Sequence, residues 1–373
     1  MPRMRNRLLV LSVGMLAAAA ACVTMLQAQA PSAPDTAMPA TGIDFSGVDQ
    51  FWKIVGVLSR DVEPTEDQWR ALLNTPGYRL AQVNLGQVMR EDLDITFKPS
   101  RRAEYERLTS GDDEHSLQLQ HLARAAARRV ELMAFQDSLA HATLIADAVA
   151  IAARSLPPGA TRNGSPPLVA VALFRDDGYS LPQGIVIDLL NVRGINLATN
   201  LAHEFHHSYV NRLAKPLPPW SDTAQDAGLR KALYDLRNEG LADLIDKPHP
   251  FSSPNRGLAG YVARYNTEYA RTPDVLRQID ALLSAAADDS TRIADLAMRA
   301  QMLFWSNGHP NGAYIAREIS ETFGVDSLRA AAFDPAVFLR IYASAERAHG
   351  RPSPFSPKAW RVIDRLDARY WRR

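Results

Sequence analysis

Apolar positions recur at helical spacing over most of the chain. From about Asp44 onward, Phe51, Trp52, Val55 and Leu58 share one helical face. Thr65 is suited to cap the next helix, with Gln68 three residues on as in a capping box. Leu72 and Leu73 carry that helix's apolar face, and Pro76-Gly77 stops it. Ser116 to Leu156 is rich in Ala, Leu, Arg and Glu and lacks Gly and Pro, which predicts two long helices breaking near Phe135–Ser138. The period then changes. Leu168–Phe174 and Gly184–Leu190 are short, unbroken apolar runs bounded by turn residues, and their length and β-branched content predict strands. Helical spacing returns from about Asn196 to Arg212 and from Asp222 to Ile245, and the remainder to Arg373 is mostly helical. The elements predict an α+β chain, predominantly helical, with a small sheet.

The first residues have a different character. Arg3, Arg5 and Arg7 precede an almost purely apolar run, Leu8 to Ala21, and Ala28-Gln29-Ala30 follows. These are the parts of an export signal over residues 1–30. Pro31 disfavours cleavage after Ala30, whereas cleavage after Ala28 remains open. Ala19-Ala20-Ala21-Cys22 is a weak lipobox that would lipidate Cys22, and Leu8 to Leu26 just suffices as an uncleaved anchor. Each route predicts an exported protein, periplasmic or secreted, that meets a membrane only through this segment. Residues 31–42 form a Pro/Ala/Ser/Thr linker expected to be disordered. The expected division of the rest is a helical region over 43–160, a metal-binding core over 161–250 and a helical region over 251–373 that packs on the core.

Composition narrows the function. Of 373 residues, 42 are Lys or Arg and 41 Asp or Glu, a net charge of +1, so no global field attracts nucleic acid. Cys22 is the only cysteine, which excludes disulfides, a cysteine-rich zinc site and a cysteine nucleophile from the body. The oligomeric state has no signature in the sequence.

The chemistry concentrates at His203-Glu204-Phe205-His206-His207, an H-E-x-x-H on a predicted helix. At 3.6 residues per turn the imidazoles of His203 and His207 leave the same face and can share one Zn²⁺. Glu204 is placed to move the proton of a zinc-activated water as general base. His206 is a neighbour of this pair. The third ligand should come from the next helix, where Asn238-Glu239-Gly240-Leu241-Ala242-Asp243 sets Glu239 and Asp243 four apart. The assignment is Glu239 as ligand and Asp243 as the carboxylate that orients a ligand imidazole; a solvated acidic face continued by Asp246 is the plain alternative. Asp222, Asp226, His249 and His309 are competing ligands. An oxyanion must also be held, for which His309 and Tyr314 are preferred over Tyr261, Tyr265 and Tyr269.

Two strands followed by an H-E-x-x-H helix is the order found in zincin-type metallopeptidases. There the strand nearest the helix lines the cleft and pairs with an extended substrate, a part that would fall to Gly184–Leu190. The H-E-x-x-H and N-E-x-x-x-D segments together resemble the gluzincin pattern of the thermolysin-like peptidases. Carried over by position, the resemblance implies a zincin-like core with His203, His207 and Glu239 on zinc, Glu204 as base and Asp243 in support. One departure is the 31 residues between His207 and Glu239, a longer gap than that family usually has. The chain is also similar to an uncharacterised bacterial family of zinc-dependent peptidases with H-E-F-H-H, a likeness extending to Trp69–Tyr78 and Gly308–Tyr314. The expectation is an exported zinc metallopeptidase acting on a peptide or protein. The alternative is a non-catalytic envelope protein that keeps the fold for binding.

Overall fold

The computed structural model describes residues 42–372 apart from 82–87, 112, 141–142, 163–165, 176–177, 182, 193–195, 215–216, 219–223 and 254–258. The export segment with Cys22, the linker to residue 41 and Asp222 therefore lie outside the described residues. A two-residue strand β1 (Ile43–Asp44) leads into helices α1 (Ser46–Leu58), α2 (Glu66–Leu73), α3 (Pro76–Ala81), α4 (Val88–Phe97), α5 (Arg102–Leu108), α6 (Glu114–Ala127), α7 (Arg129–Ala140) and α8 (Leu144–Ala153). Strands β2 (Val169–Ala172), β3 (Gly178–Leu181) and β4 (Gly184–Asp188) follow, then helices α9 (Leu197–Leu213) and α10 (Ala227–Asp246). The C-terminal part holds α11 (Ala259–Ala270), α12 (Thr272–Asp288), α13 (Ile293–Leu303), α14 (His309–Phe323), α15 (Val325–Ala331), α16 (Pro335–Ala348) and α17 (Pro357–Leu366). The fold is α+β, predominantly helical, with one four-stranded sheet among the described residues.

Local signals account for several boundaries. Thr65 and Gln68 form the reciprocal capping box that starts α2. Pro76 closes off α2 and also occupies the first position of α3, where its missing N–H costs nothing. The stretch from Ser116 holds three helices rather than two. It breaks at Arg128 and again before Leu144, while Phe135–Ser138 lies inside α7. Neither break has a Gly or Pro to announce it; Arg128 leaves helical geometry (φ −109°, ψ 16°) so that α6 can bury Leu119, Leu122 and Ala125 while α7 turns aside.

The sheet order is β1-β2-β4-β3. β2 runs parallel to β4, with Val169 opposite Ile185 and Ala172 opposite Asp188. β3 returns antiparallel on the other side of β4, with Tyr179 opposite Val186. Both expected apolar runs are therefore interior strands buried on both faces, which is why their sequences do not alternate. This corrects the expectation that Gly184–Leu190 lines a cleft: with partners along both edges, β4 has no free backbone for a substrate. The edge strands are β1 and β3, and β3, whose Gly-Tyr-Ser-Leu sequence carries little strand signal, owes its conformation to pairing with β4.

The buried apolar residues fall into two large clusters and a small third one of Tyr265, Tyr269 and Ala313. The first runs from Val48 to Val210 and unites the early helices, the sheet and α9. The second runs from Leu229 to Trp371 and unites α10 with the C-terminal helices. No helix among the described residues is long and apolar enough to cross a membrane.

At the end of β4 the fully buried Asp188 accepts the backbone N–H groups of Phe174 (2.9 Å), Leu190 (2.9 Å) and Asn191 (3.1 Å), with His121 Nε2 3.1 Å away. The carboxylate terminates the strand and seats the turn toward α9. Asp188→Ala strands these donors and should lower the unfolding free energy by about 3 kcal/mol in a denaturant titration. Asp188→Asn keeps an acceptor oxygen and should cost about half as much. A loss below about 1 kcal/mol for the alanine variant would mean that other groups satisfy the turn.

Candidate metal centre

α9 begins where the Asn196 side chain accepts the Thr199 N–H. Leu201, Phe205, Tyr209 and Val210 sink into the first core, which turns His203 and His207 toward α10. Both imidazoles are buried, and Glu204 is the only residue of 201–210 that is not. α10 belongs to the second core and presents Glu239, Asp243 and Asp246, each one turn from the next. The donors meet at the seam between the two cores.

Their separations are short. His203 Nε2 lies 3.0 Å from His207 Nε2, and Glu239 Oε2 lies 3.1 Å from His207 Nε2 and 3.7 Å from His203 Nε2. A third imidazole joins them: His309 Nε2 is 3.3 Å from the same Glu239 oxygen. Its ring is nearly parallel to that of His203, 19° apart in plane with centroids 5.8 Å apart.

Behind these atoms stands a second layer of carboxylates. Asp246 Oδ1 lies 2.9 Å from His203 Nδ1 and accepts its hydrogen bond, and Asp243 Oδ1 lies 3.5 Å from the same nitrogen. Asp243 instead pairs with His309, Nδ1 to Oδ1 2.8 Å, and accepts from the Tyr265 hydroxyl at 2.9 Å. Lys247 bridges the two carboxylates, 2.6 Å from Asp243 and 3.3 Å from Asp246. Burial pushes the Asp243 carboxyl up, but His309 and Lys247 beside it hold it below its ordinary range, so it stays ionised. Burial disfavours the Lys247 ammonium, and the two carboxylates more than compensate and raise its pKa. The Lys247 ammonium thus already places a positive charge between Asp243 and Asp246.

The approach of His309 depends on two glycines. α14 crosses α10 with Gly312 against Gly240, backbone to backbone. A Cβ built on Gly312 would lie 2.0 Å from the Leu236 carbonyl oxygen, and one on Gly240 would lie 2.3 Å from the Gly312 carbonyl carbon. The turn into α14 is unusual as well: Ser306, Asn307 and Gly308 all have positive φ (50°, 53° and 84°). The two non-glycine residues carry a cost of roughly 1 kcal/mol or more each.

The other sequence candidates sit elsewhere. Tyr314, five residues beyond His309 and on a different face of α14, packs against Tyr269 and Tyr342. Asp226 is held by Arg369 and Tyr370, and the His249 ring stacks on Tyr269 at 3.9 Å. Tyr261 packs on Trp305, and Tyr265 and Tyr269 are core. Burial, with the charges of His207 and Arg237, holds the His206 pKa well below its ordinary value, so this ring is a neutral core group. Sequence reasoning overlooked the contact of Asp246 with His203, and the tethers from Lys247 and Tyr265. The i, i+4, i+7 spacing of Glu239, Asp243 and Asp246 was a signal for the first; the others depend on the turn after α10.

This donor set fits zinc. Four donor atoms about 2.0–2.1 Å from one ion at the corners of a tetrahedron stand roughly 3.3 Å apart, and the four separations given above scatter about that value. Three carboxylates against one ammonium also leave the hydrogen-bonded cluster with two formal negative charges, which a divalent cation balances. Buried imidazole and carboxylate donors of this type define a zinc-binding class of protein. A family model described as "Putative zinc dependent peptidase (DUF5700)" matches residues 69–349, a span that holds every donor named here. The chain belongs to that family, and its cofactor is Zn²⁺. No curated protein and no solved structure matches the chain.

Gly312→Ala must push α14 off α10 and carry His309 with it. We expect a loss of about 3 kcal/mol in the stability of the metal-free protein, together with weaker zinc binding in a chelator competition. An alanine variant with unchanged melting temperature and zinc affinity would show that the two helices do not rely on this contact.

Proposed function

We propose that the protein is an exported zinc metallopeptidase of gluzincin type, with His203, His207 and Glu239 holding the metal and Glu204 as general base. The observation that carries the reading is the meeting of both H-E-x-x-H imidazoles with Glu239 of a second helix. Zinc supplies Lewis acidity toward a water and the scissile carbonyl. Asp246 fixes the His203 ring so that Nε2 offers its lone pair inward. Glu204, next to the first ligand and open to solvent, takes a proton on its carboxylate and returns it to the leaving amine. β3 is an edge strand beside α9, and an extended peptide would add its backbone to the sheet there. The N-terminal segment carries the chain across the inner membrane; intact-mass analysis of fractionated cells that found the protein in the cytoplasm with Met1 to Arg7 still attached would remove export from the proposal.

Glu204→Gln should keep about one zinc per chain and lose hydrolysis of a peptide library by at least about 10²-fold. Alanine at His203, His207 or Glu239 should lose the metal itself, read by elemental analysis. Equal cleavage by the Glu204→Gln protein would deny Glu204 its role, and zinc retained by all three alanine variants would remove the ligand set. The strand-addition part has its own test. N-methylation of a peptide substrate at alternate residues should raise KM, whereas methylation at the intervening residues should not, because only every second N–H of a strand faces its partner. A flat response along the peptide would place the substrate away from β3.

A further inference from the structure

His309 has the build of a metal donor. Asp243 Oδ1 lies 2.8 Å from His309 Nδ1, and with Nδ1–H donating to that carboxylate the neutral tautomer of the ring turns a bare Nε2 lone pair inward. His203 is made the same way, with Asp246 on Nδ1 and Nε2 inward. Both lone pairs face the one Glu239 oxygen, at 3.7 Å and 3.3 Å. Two lone pairs aimed at a carboxylate oxygen repel it unless a cation stands between them. By this measure His309 is better prepared than His207, whose Nδ1 is buried without a hydrogen-bond partner. The positive-φ turn and the Gly240–Gly312 contact are structural outlays that bring this ring to this place.

We propose that His309 is a fourth protein donor to the zinc, beside His203, His207 and Glu239, and that Asp243 positions it for this; the inference rests on the metal site proposed above. The competing role is donation of an Nε2 proton to an oxyanion. With Nδ1–H already given to Asp243, that role needs a cationic imidazolium beside a divalent cation, an arrangement opposed by their mutual repulsion. A centre with four protein donors is closed, as structural zinc sites are. The His309 side chain is 19% exposed, against 5% for His203, so it is the donor with room to withdraw when a substrate arrives.

Zinc affinity, measured by competition with a chromophoric chelator, separates the roles. His309→Ala should weaken binding by at least about tenfold, the lower end of what loss of a mere supporting group costs. The visible spectrum of the cobalt-substituted protein should change with it, because one nitrogen leaves the coordination sphere. His309→Gln is the second variant should the truncated ring unsettle α14, and Tyr314→Phe on the same helix should match the unsubstituted protein. Native zinc affinity and an unchanged cobalt spectrum in either folded His309 variant would overturn the proposal. In that event His203→Ala decides what falls: zinc lost there leaves the H-E-x-x-H centre standing without His309, and zinc retained there takes the metal site down as well.

Discussion

The contact of Gly240 with Gly312 governs the geometry of the centre. Two helices normally pack with axes 8–10 Å apart because side chains keep the backbones away. Here neither helix has a side chain at the crossing, and α14 settles directly on α10. Close approach puts the first residue of α14 within reach of the fourth and fifth turns of α10. His309 then touches both Glu239 and Asp243, which lie on either side of Gly240 in the sequence. The glycine within the N-E-G-L-A-D segment and the glycine three residues after His309 are thus halves of one device.

The centre also joins two hydrophobic cores that share little else. α9 is anchored in the first and α10 in the second; histidines, carboxylates and a lysine lie between their facing sides, while Ile245 of α10 packs on the first core and Phe333 on both. Burying charge costs several kcal/mol per ion unless it is paired. The pairing is extensive: Asp246 on His203, Asp243 on His309, Tyr265 behind Asp243 and Lys247 behind both carboxylates. A divalent cation held by these donors would complete the balance and tie the two cores across the seam, which would couple metal binding to the relative placement of the cores.

Access follows from the same arrangement. The early helices and α9 cover the sheet so fully that β2 and β4 are buried throughout, and the short β3 is the edge strand beside α9. Glu204 is the part of the H-E-x-x-H turn that escapes burial. The partial exposure would suit the base proposed for Glu204, which has to exchange protons with water and with a departing amine, as enclosure would suit the proposed ligands.

Much of this was written in local sequence. Helical spacing, the Thr65 capping box and the two apolar runs depend on neighbours a few residues apart, and H-E-x-x-H is a one-turn motif whose geometry the helix itself enforces. Glu239 and Asp243 were legible for the same reason, since four residues on a helix is one face. Other features depend on partners distant in the chain. Gly178–Leu181 becomes a strand because β4 is there to pair with it, and that pairing makes β4 interior. The break at Arg128 has no breaker residue and answers to packing. Asp246, not Asp243, accepts the His203 hydrogen bond because of how α10 is rotated against α9, and a 31-residue gap says nothing about rotation. His309, 102 positions from His207 in the chain, arrives at the carboxylate that His207 faces only because two glycines let backbones touch. A periodic pattern states which side of an element is apolar; which element meets that side is decided by volume and by charge pairing in the assembled core.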